Sequence, residues 1–487
     1  MNKDLSSYFE EPEFKELLKK YEGMVNDHTS IYFDAEELTD IAEYYASQGN
    51  EDEAEKAIDF ALLLHPSNTD ALVFKARSLC IKGKLDEAYQ EMYKIKDTSD
   101  REYKFLKADL LIEEKRFNEA NEVLYELAET ENESVEVLVD IALTYMDANQ
   151  KEMTAQWLDK IRMKGYNVKN SQKFRDLWCD FCLTFNEPSQ ALEAYKITLD
   201  EYPYSISHWN GLARCHMMMD NLSQAHEAVD FSLAINENDQ EALQIKSTCF
   251  LQGENYEEAI AYGLKLMKIT KDKNRTYAFL TKCYMETERI NEALQNCFNW
   301  LEDCPKLTDY EKSEIYCYIS VAYWNQNQLD EGMKYIDASL ELNPFNCQSI
   351  IQKGMIHLLL NENDEAEKLF QKAIEFSPED EEAETHYAIV NCYFYLGRND
   401  DIIRWCEKII NDYPEEQKEA ILIIANCYHE ADNIKMCMKT LAQFWQVNNR
   451  SFKSELMKDK RFDKMFAYIL EKMKGNFLNF FNFFDFD

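Results

Sequence analysis

The chain has 487 residues and a formal net charge of −38, from 91 Asp and Glu against 53 Lys and Arg. Such a charge repels phosphate backbones and anionic membranes, so neither nucleic acid nor a membrane surface is expected as a partner. Hydrophobic residues make up 46% of the chain, enough for a large core, and 8 Pro and 11 Gly leave little room for disordered linkers. The acidity has two interpretations: it keeps a long surface soluble, or it lines a groove for a basic partner.

The protein is expected to be cytoplasmic, with a helical N-terminal segment. It carries acidic residues where a secretory signal carries basic ones. No apolar run approaches the roughly 18 residues that a membrane-spanning helix needs. Phe14, Leu17, Leu18 and Tyr21 form one apolar face, which predicts a helix at about 10–26 that covers the end of whatever follows it.

A helical hairpin is predicted between residues 34 and 66. Asp34 followed by Glu37 is typical of a helix start. Gly49 supplies the backbone freedom of a tight turn, and Pro66 ends the second helix because it has no N–H to donate. The apolar faces consist of Leu38, Ile41, Ala42 and Tyr45 in the first helix and of Ala54, Ile58 and Ala61 in the second.

This order of residues resembles the tetratricopeptide repeat (TPR), a helical hairpin of about 34 residues. The marker Ala54 of the second helix has eleven equivalents further along the chain, spaced by 32 to 39 residues. The equivalents are Ala88, Ala120, Thr154, Ala191, Ala225, Ala259, Ala293, Gly332, Ala366, Ile402 and Cys437. The resemblance implies an all-α, right-handed superhelical solenoid of about twelve TPR-like hairpins with N- and C-terminal capping helices. The opening residues also resemble bacterial cytoplasmic proteins built from TPR arrays.

Insertions after Lys164 and between Cys304 and Lys312 divide the predicted array into three blocks. The predicted segments are 1–33, an N-terminal capping helix and lead-in; 34–170, TPR repeats 1–4; 171–305, TPR repeats 5–8; 306–450, TPR repeats 9–12; and 451–487, a C-terminal capping helix and Phe-rich tail. The tail, Phe477 to Asp487, contains six Phe in eleven residues. It either covers the last helices or provides an edge for docking a partner or for self-association.

No segment carries a catalytic or metal-binding signature. Cys179 and Cys182 form a lone C-x-x-C with no second pair for zinc, and the 14 cysteines are interpreted as reduced, small core residues. The histidines form no H-E-x-x-H, and glycine loops that hold phosphate are absent. We therefore expect no cofactor, no metal and no enzymatic activity. An enzyme built on the hairpins would lose turnover on Cys182→Ala or His429→Ala.

The TPR resemblance implies a concave groove lined by the first helix of each pair, at its second, fifth, ninth, twelfth and thirteenth places. No fifth place is basic, which argues against the carboxylate clamp of chaperone adaptors. The candidate groove residues are Trp324, Tyr387, Asn391, Phe394, Tyr395 and Asn426 late in the array, and Arg214, Met217 and Met218 in its middle. Aromatic side chains give large contact area and asparagines can pair with a peptide backbone. The alternative is that the late aromatics pack between repeats.

The predicted function is that of a non-catalytic scaffold or adaptor that holds a peptide or partner protein, predicted to be net basic, in the groove. The alternative is a regulatory or sensor subunit whose superhelix responds to a small ligand, which would give ligand-dependent thermal shifts without a protein partner. The identity of the partner and the oligomeric state do not follow from the sequence.

Overall fold

The computed structural model describes residues 8–9, 11–27, 31–378, 380–414, 417–433, 435–437 and 439–441. No strand occurs in this part of the chain, so the all-α prediction is confirmed. The chain divides into two compact units, unit 1 ending at Glu237 and unit 2 beginning at Asn238.

Unit 1 contains one leading helix followed by six helical hairpins in its described part. Its helices are α1 Pro12–Asp27, α2 Ala35–Ser47, α3 Glu51–Leu64, α4 Thr69–Ile81, α5 Leu85–Met92, α6 Arg101–Glu113, α7 Phe117–Thr130, α8 Val135–Asp147, α9 Lys151–Met163, α10 Gln172–Thr184, α11 Pro188–Glu201, α12 Ile206–Met218 and α13 Leu222–Ile235.

Unit 2 contains five complete hairpins in its described part, and α24 begins the next one. Its helices are α14 Gln240–Gln252, α15 Tyr256–Met267, α16 Asn274–Glu286, α17 Ile290–Asp303, α18 Asp309–Asn325, α19 Leu329–Leu342, α20 Cys347–Leu359, α21 Asn363–Phe376, α22 Glu382–Tyr395, α23 Asn399–Asp412 and α24 Gln417–Glu430. The total of twelve hairpins stays a prediction, and the predicted segment 451–487 lies outside the described residues.

Each hairpin turn has the same backbone geometry, with one left-handed residue five positions before the marker of the second helix. In the first turn this residue is Gly49 (φ 71°), and the N–H of Asn50 donates to the carbonyl of Tyr45 at 2.9 Å, which closes α2. Glycine also occupies this position in two further turns, Gly83 and Gly397. The other left-handed turn residues carry side chains: Lys115, Asn149, Asn186, Asp220, Glu254, Glu288, Asn327, Asn361 and Asp432. The turn therefore recurs at the position expected from every marker.

The leading helix α1 packs on the first hairpin of unit 1. Phe14 and Tyr21 are buried in one cluster with Leu38 and Ile41 of α2. The hydroxyl of Tyr8 donates to a carboxylate oxygen of Asp40 on α2, at 2.7 Å. The expected helix start at α2 is also present, because the Glu37 carboxylate accepts the backbone N–H of Asp34 at 2.9 Å. The apolar face of α1 is thus covered by α2.

One buried cluster of unit 2 extends from α20 to α24. Phe370, Tyr393 and Trp405 are fully or almost fully buried there, with the ring of Phe370 edge-on to both of the others. Two markers that are not alanine, Ile402 and Cys437, are completely buried, so a larger residue is accommodated at that position late in the array. The boundary between the two units falls between α13 and α14, and the division into blocks at 170 and 305 stays a prediction.

Candidate functional site

A concave cavity of about 550 Å³ lies along the first helices of unit 1. Its walls come from α2 and α4, with contributions from the starts of α3 and α6. Glu36, Thr39 and Glu43 of α2 line it at the second, fifth and ninth places of their repeat, and Asp70 and Arg77 of α4 occupy the second and ninth places of the next. The helical period brings these places to one side of each helix because they are three or four residues apart. We call this cavity the unit 1 groove.

Acidic side chains dominate the unit 1 groove. The carboxylates that line it are those of Glu36, Asp40, Glu43, Glu51, Asp70 and Glu102. Arg77 is the single basic side chain among its described lining residues. Its guanidinium already pairs with Glu102 at 3.2 Å and with Asp109 at 3.1 Å. The groove therefore keeps a surplus of negative charge after its own ion pair is counted.

The crowding of carboxylates shifts their proton affinity. Partial burial raises the pKa of Glu43 above its ordinary value, and the neighbouring charges of Asp40 and Asp70 raise it further, whereas Arg77 opposes the shift. Partial burial likewise raises the pKa of Asp70, together with the charge of Glu102 and other nearby carboxylates. Both shifts mean that the negative charge in the groove is held at a cost in free energy, which a bound cation would relieve.

The groove also has an apolar wall on α4. Val73 is buried, Phe74 is half-buried, and Ile81 is 83% exposed at the end of the helix. An exposed isoleucine next to carboxylates suits a partner that carries both apolar and cationic side chains.

The candidate residues Arg214, Met217 and Met218 all lie on α12, further along unit 1. Arg214 is exposed, Met217 is half-buried, and Met218 is 40% exposed. The arginine faces a carboxylate of the preceding first helix: partial burial and the charge of Asp176 raise the pKa of Asp180, and the charge of Arg214 opposes that shift. The local composition, carboxylates around one arginine, repeats that of the unit 1 groove.

In unit 2 the structure brings together Trp324 of α18 and Tyr395 of α22. Their rings meet edge to face, with centroids 5.2 Å apart and an interplanar angle of 84°. Trp324 also packs against the core, whereas Tyr395 is 59% exposed and its neighbour Phe394 is 54% exposed. One ring of this pair is thus anchored between repeats and the other is open to solvent.

The remaining late candidates are spread more widely. Tyr387 is half-buried and packs against the core of unit 2, and Asn391 is exposed on the same helix. Asn426, on α24, donates from Nδ2 to Glu430 Oε1 at 3.3 Å. Of the six late candidates, Trp324 and Tyr387 therefore pack against the same buried cluster, and Trp324 also contacts Tyr395.

Glu43 and Asp70 were not among the candidates singled out from the sequence, although both stand at groove-lining places. A comparison of the charges at the ninth and second places of successive repeats would have found them. Aromatic side chains are distinctive candidates in the sequence because they are large, whereas a single carboxylate is not distinctive on a very acidic chain.

The two cysteines of the C-x-x-C are core residues. Cys179 is 3% exposed and Cys182 is fully buried, and burial raises the pKa of the Cys182 thiol to about 12. Within the described ranges, no group of three His, Cys, Asp or Glu side chains is arranged to hold a metal ion. A helix long and apolar enough to cross a membrane is likewise not found among the residues the structure covers.

Comparisons with known proteins agree with this geometry. A family model described as tetratricopeptide repeat matches residues 39–100, and a second model with the same description matches residues 313–346 and 348–380. The first match falls on α2 to α5 and the second on the hairpins from α18 to α21. No curated protein matches the chain.

Several solved structures are similar to parts of the chain. YrrB, described as a TPR protein with an unusual peptide-binding site, is 18% identical and covers 38% of this chain and 93% of its own, with a TM-score of 0.31. A tetratricopeptide repeat protein from Parabacteroides merdae is 16% identical over 52% of this chain and 96% of its own, with a TM-score of 0.41. The Cut9–Hcn1 hetero-tetramer of the APC/C is 16% identical over 81% of this chain and 76% of the matched one, with a TM-score of 0.36.

The family models match repeats in both units, and the hairpin with its left-handed turn recurs at the spacing of the markers. The chain therefore contains tetratricopeptide repeats, which the family models match over residues 39–100, 313–346 and 348–380.

Proposed function

We propose that the chain is a non-catalytic, cytoplasmic scaffold that binds a net basic segment of a partner protein in the unit 1 groove. The observation that carries this proposal is the surplus of carboxylates around a concave cavity whose single lining arginine is already paired. A lysine or arginine side chain of the partner would be attracted by several carboxylates at once. The apolar wall formed by Val73, Phe74 and Ile81 would bury an adjacent apolar side chain.

The candidates of unit 2 supply a second contact surface for the same partner or another one. Phe394 and Tyr395 are large and about half exposed, and the ring of Trp324 packs edge to face against the ring of Tyr395. A rigid, exposed aromatic side chain loses little conformational entropy on binding, which suits it to anchor a peptide. Arg214, Met217 and Met218 of unit 1, and Tyr387, Asn391 and Asn426 of unit 2, are proposed to take part as secondary contacts.

The proposal can be tested with a displayed library of random linear peptides selected on the full chain at low salt. We expect the selected peptides to be rich in Lys and Arg, and their affinity to fall as the salt concentration rises. The double variant Glu43→Gln/Asp70→Asn should weaken these peptides about tenfold. This corresponds to about 1.4 kcal/mol for the loss of two partly buried charges.

The matched control is Asp52→Asn/Asp86→Asn. It removes the same number of charges from the first turns of α3 and α5, at two residues that do not line the groove. Equal weakening by both double variants would show that only net charge matters, and binding that is indifferent to salt would exclude a basic partner. If no peptide is selected, thermal shifts with small-molecule panels become the next test, because the sensor alternative predicts them.

A further inference from the structure

Residues 160–175 form a basic stretch in a very acidic chain. The stretch contains six Lys or Arg and no Asp or Glu, whereas the whole chain has a net charge of −38. It covers the end of α9, the connection to α10 and the start of α10. The connection includes the insertion after Lys164 that interrupts the repeat spacing. We call residues 160–175 the basic segment.

Hydrogen bonds within unit 1 fix the backbone of the basic segment. The buried guanidinium of Arg175 donates to the carbonyl of Val168 at 3.3 Å and to the hydroxyl of Thr198 on α11 at 3.0 Å. The side-chain amide of Asn170 donates to the carbonyl of Gly165 at 2.9 Å. The connection is therefore held in one shape before a partner binds, which lowers the entropy cost of binding.

The cations of the basic segment outnumber the carboxylates that contact them. Glu133, from the turn before α8, is shared by Lys164 at 2.5 Å and Lys160 at 3.6 Å. Lys169 is exposed and has no ion pair within the described ranges. Each remaining cation pairs with one carboxylate: Arg162 with Asp159, Lys173 with Glu136 and Arg175 with Glu201. Six cations thus meet four carboxylates, and a surplus of positive charge remains.

Two apolar side chains are exposed among these charges. Met163 is 85% exposed at the end of α9, and Tyr166 is exposed in the connection. A methionine side chain adapts to apolar surfaces of different shapes, and a tyrosine ring gives contact area at a low entropy cost. No residue of the basic segment lines the unit 1 groove, so this surface lies outside the groove.

We infer that the basic segment is a docking surface for an acidic segment of a partner protein. Carboxylates of the partner would be attracted by Lys164, Lys169 and Lys173, which are all exposed. An apolar side chain of the partner would pack on Met163 and Tyr166. The inference goes beyond the proposed function, because it gives unit 1 a second partner of opposite charge at a different surface.

The charge of the whole chain favours a short protein segment over a larger polyanion. At physiological ionic strength, salt screens charges that are more than about 8 Å apart, so a short acidic segment interacts mainly with the cations that it contacts. A nucleic acid backbone or an anionic membrane would extend over the acidic surface around the basic segment and would be repelled there.

The test is a selection in two steps with a displayed library of random linear peptides at low salt. The library is first depleted on the variant Lys164→Gln/Lys169→Gln, and the unbound fraction is then selected on the wild-type full chain. Depletion removes peptides that bind elsewhere, so the peptides that remain require the two lysines. Both lysines are exposed, and an unchanged urea unfolding transition would show that the variant is folded.

We expect the remaining peptides to be rich in Asp and Glu and to carry at least one apolar residue. In fluorescence anisotropy titrations, Lys164→Gln/Lys169→Gln should weaken them about tenfold and Met163→Ser about threefold. The matched control is Lys265→Gln/Lys268→Gln, which removes two positive charges from exposed positions at the end of α15. It should change the affinity by less than about twofold, because distant charges are screened.

Remaining peptides that are not acidic, or a depleted library without any binder, would overturn the inference. Equal weakening by the control would also overturn it, because net charge alone would then explain the binding. Phosphatidylserine vesicles or an oligonucleotide that bind the wild type but not Lys164→Gln/Lys169→Gln, with no acidic peptide selected, would assign the surface to a polyanion instead.

The proposed function and this inference fail separately. Glu43→Gln/Asp70→Asn should leave the binding of the acidic peptides unchanged, because neither residue contacts the basic segment. Loss of the acidic peptides in that variant would overturn the assignment of a separate surface. Failure to select basic peptides for the unit 1 groove would refute the proposed function and leave the acidic peptides as evidence for the basic segment.

Discussion

The charge surplus of the unit 1 groove predicts that Glu43→Gln makes unit 1 more stable at neutral pH. Glu43 is half-buried, and its nearest charged neighbours include Asp40 and Asp70. Arg77 is the one cation that opposes them, and it is engaged with Glu102 and other carboxylates. Glutamine keeps the shape of the side chain and removes the charge, so the substitution tests the free-energy cost of holding that charge in the groove.

The size of the gain follows from the geometry. Asp40 and Glu43 are three residues apart on α2, and like charges at that spacing destabilise a helix by about 0.2–0.5 kcal/mol. Repulsion from Asp70 and partial desolvation of the carboxylate add to this, whereas Arg77 reduces it. We expect Glu43→Gln to raise the free energy of unfolding by about 0.5–1 kcal/mol at pH 7.

The gain should depend on pH in a definite direction. The pKa of Glu43 is raised in the folded state, mainly by partial burial, so the folded protein holds this proton more tightly than the unfolded chain does. The wild type therefore loses stability as pH rises through that raised pKa, and Glu43→Gln does not. The two proteins should be equally stable below the ordinary glutamate pKa of 4.5 and differ at neutral pH.

Urea unfolding followed by circular dichroism, at about pH 4 and pH 7, measures this difference. The control Asp52→Asn removes a charge from the first turn of α3, where a carboxylate favours the helix N-terminus, so it should lower stability by about 0.3–0.5 kcal/mol. A lower stability of Glu43→Gln at pH 7, or a gain of the same size at pH 4, would refute the argument that the groove holds its charge at a cost.

Three further predictions concern packing, turns and the exposed aromatics. Gly354→Ala should lower the free energy of unfolding by about 1–2 kcal/mol, because its Cβ would lie 2.5 Å from a buried phenylalanine ring. In Gly332→Ala the atom nearest to the added Cβ is 3.4 Å away, so this substitution should raise the free energy of unfolding by up to about 1 kcal/mol. Urea unfolding in which Gly332→Ala is less stable than Gly354→Ala would contradict the packing described. Glu254→Gly, at φ 56°, should raise the thermal midpoint by relieving about 0.5 kcal/mol of backbone strain. Phe394→Ala/Tyr395→Ala should change stability by less than about 1 kcal/mol and weaken selected peptides about tenfold; an unchanged anisotropy titration would remove them from the binding surface.

The repeat architecture could be predicted from the sequence because its determinants are local. Ala54 and most of its equivalents are small residues at points where two helices of a hairpin meet, and the turn before each of them has the same left-handed backbone. Even degenerate repeats keep this order: Thr154 is fully buried at its marker position, as alanine is elsewhere. Spacing and residue size are sufficient to detect such a pattern.

The identity of the turn residues was less predictable. Only three of the left-handed hairpin-turn positions in the described residues are glycine, and acidic or basic residues with long side chains, such as Glu254, Glu288 and Lys115, occupy others. The turn is stabilised by the packing of the two helices that it joins, so the array tolerates a residue that would be unfavourable there on its own. Turn chemistry by itself would therefore have missed several repeats.

The aromatic candidates show which contacts could not be predicted from the sequence. It placed Trp324 and Tyr395 at groove-lining places of two different repeats and left open whether such residues face the groove or pack between repeats. In the structure the two rings touch, although they belong to α18 and α22, and one is anchored against the core while the other is exposed. That contact depends on how three successive hairpins stack, which the spacing of residues along the chain does not contain.

The two sides of the first helix of each hairpin have different roles: one side packs in the core and the other lines the groove. On α2, Leu38, Ile41 and Ala42 are completely buried and specify the fold, whereas Glu36 is exposed, Glu43 is half-buried, and both line the groove. Because these groove residues are packed less tightly than the core residues, their charge and polarity can vary with less effect on the hairpin. This is why a family can be identified from the buried places alone, and why the chemistry of the partner must be read from the groove places.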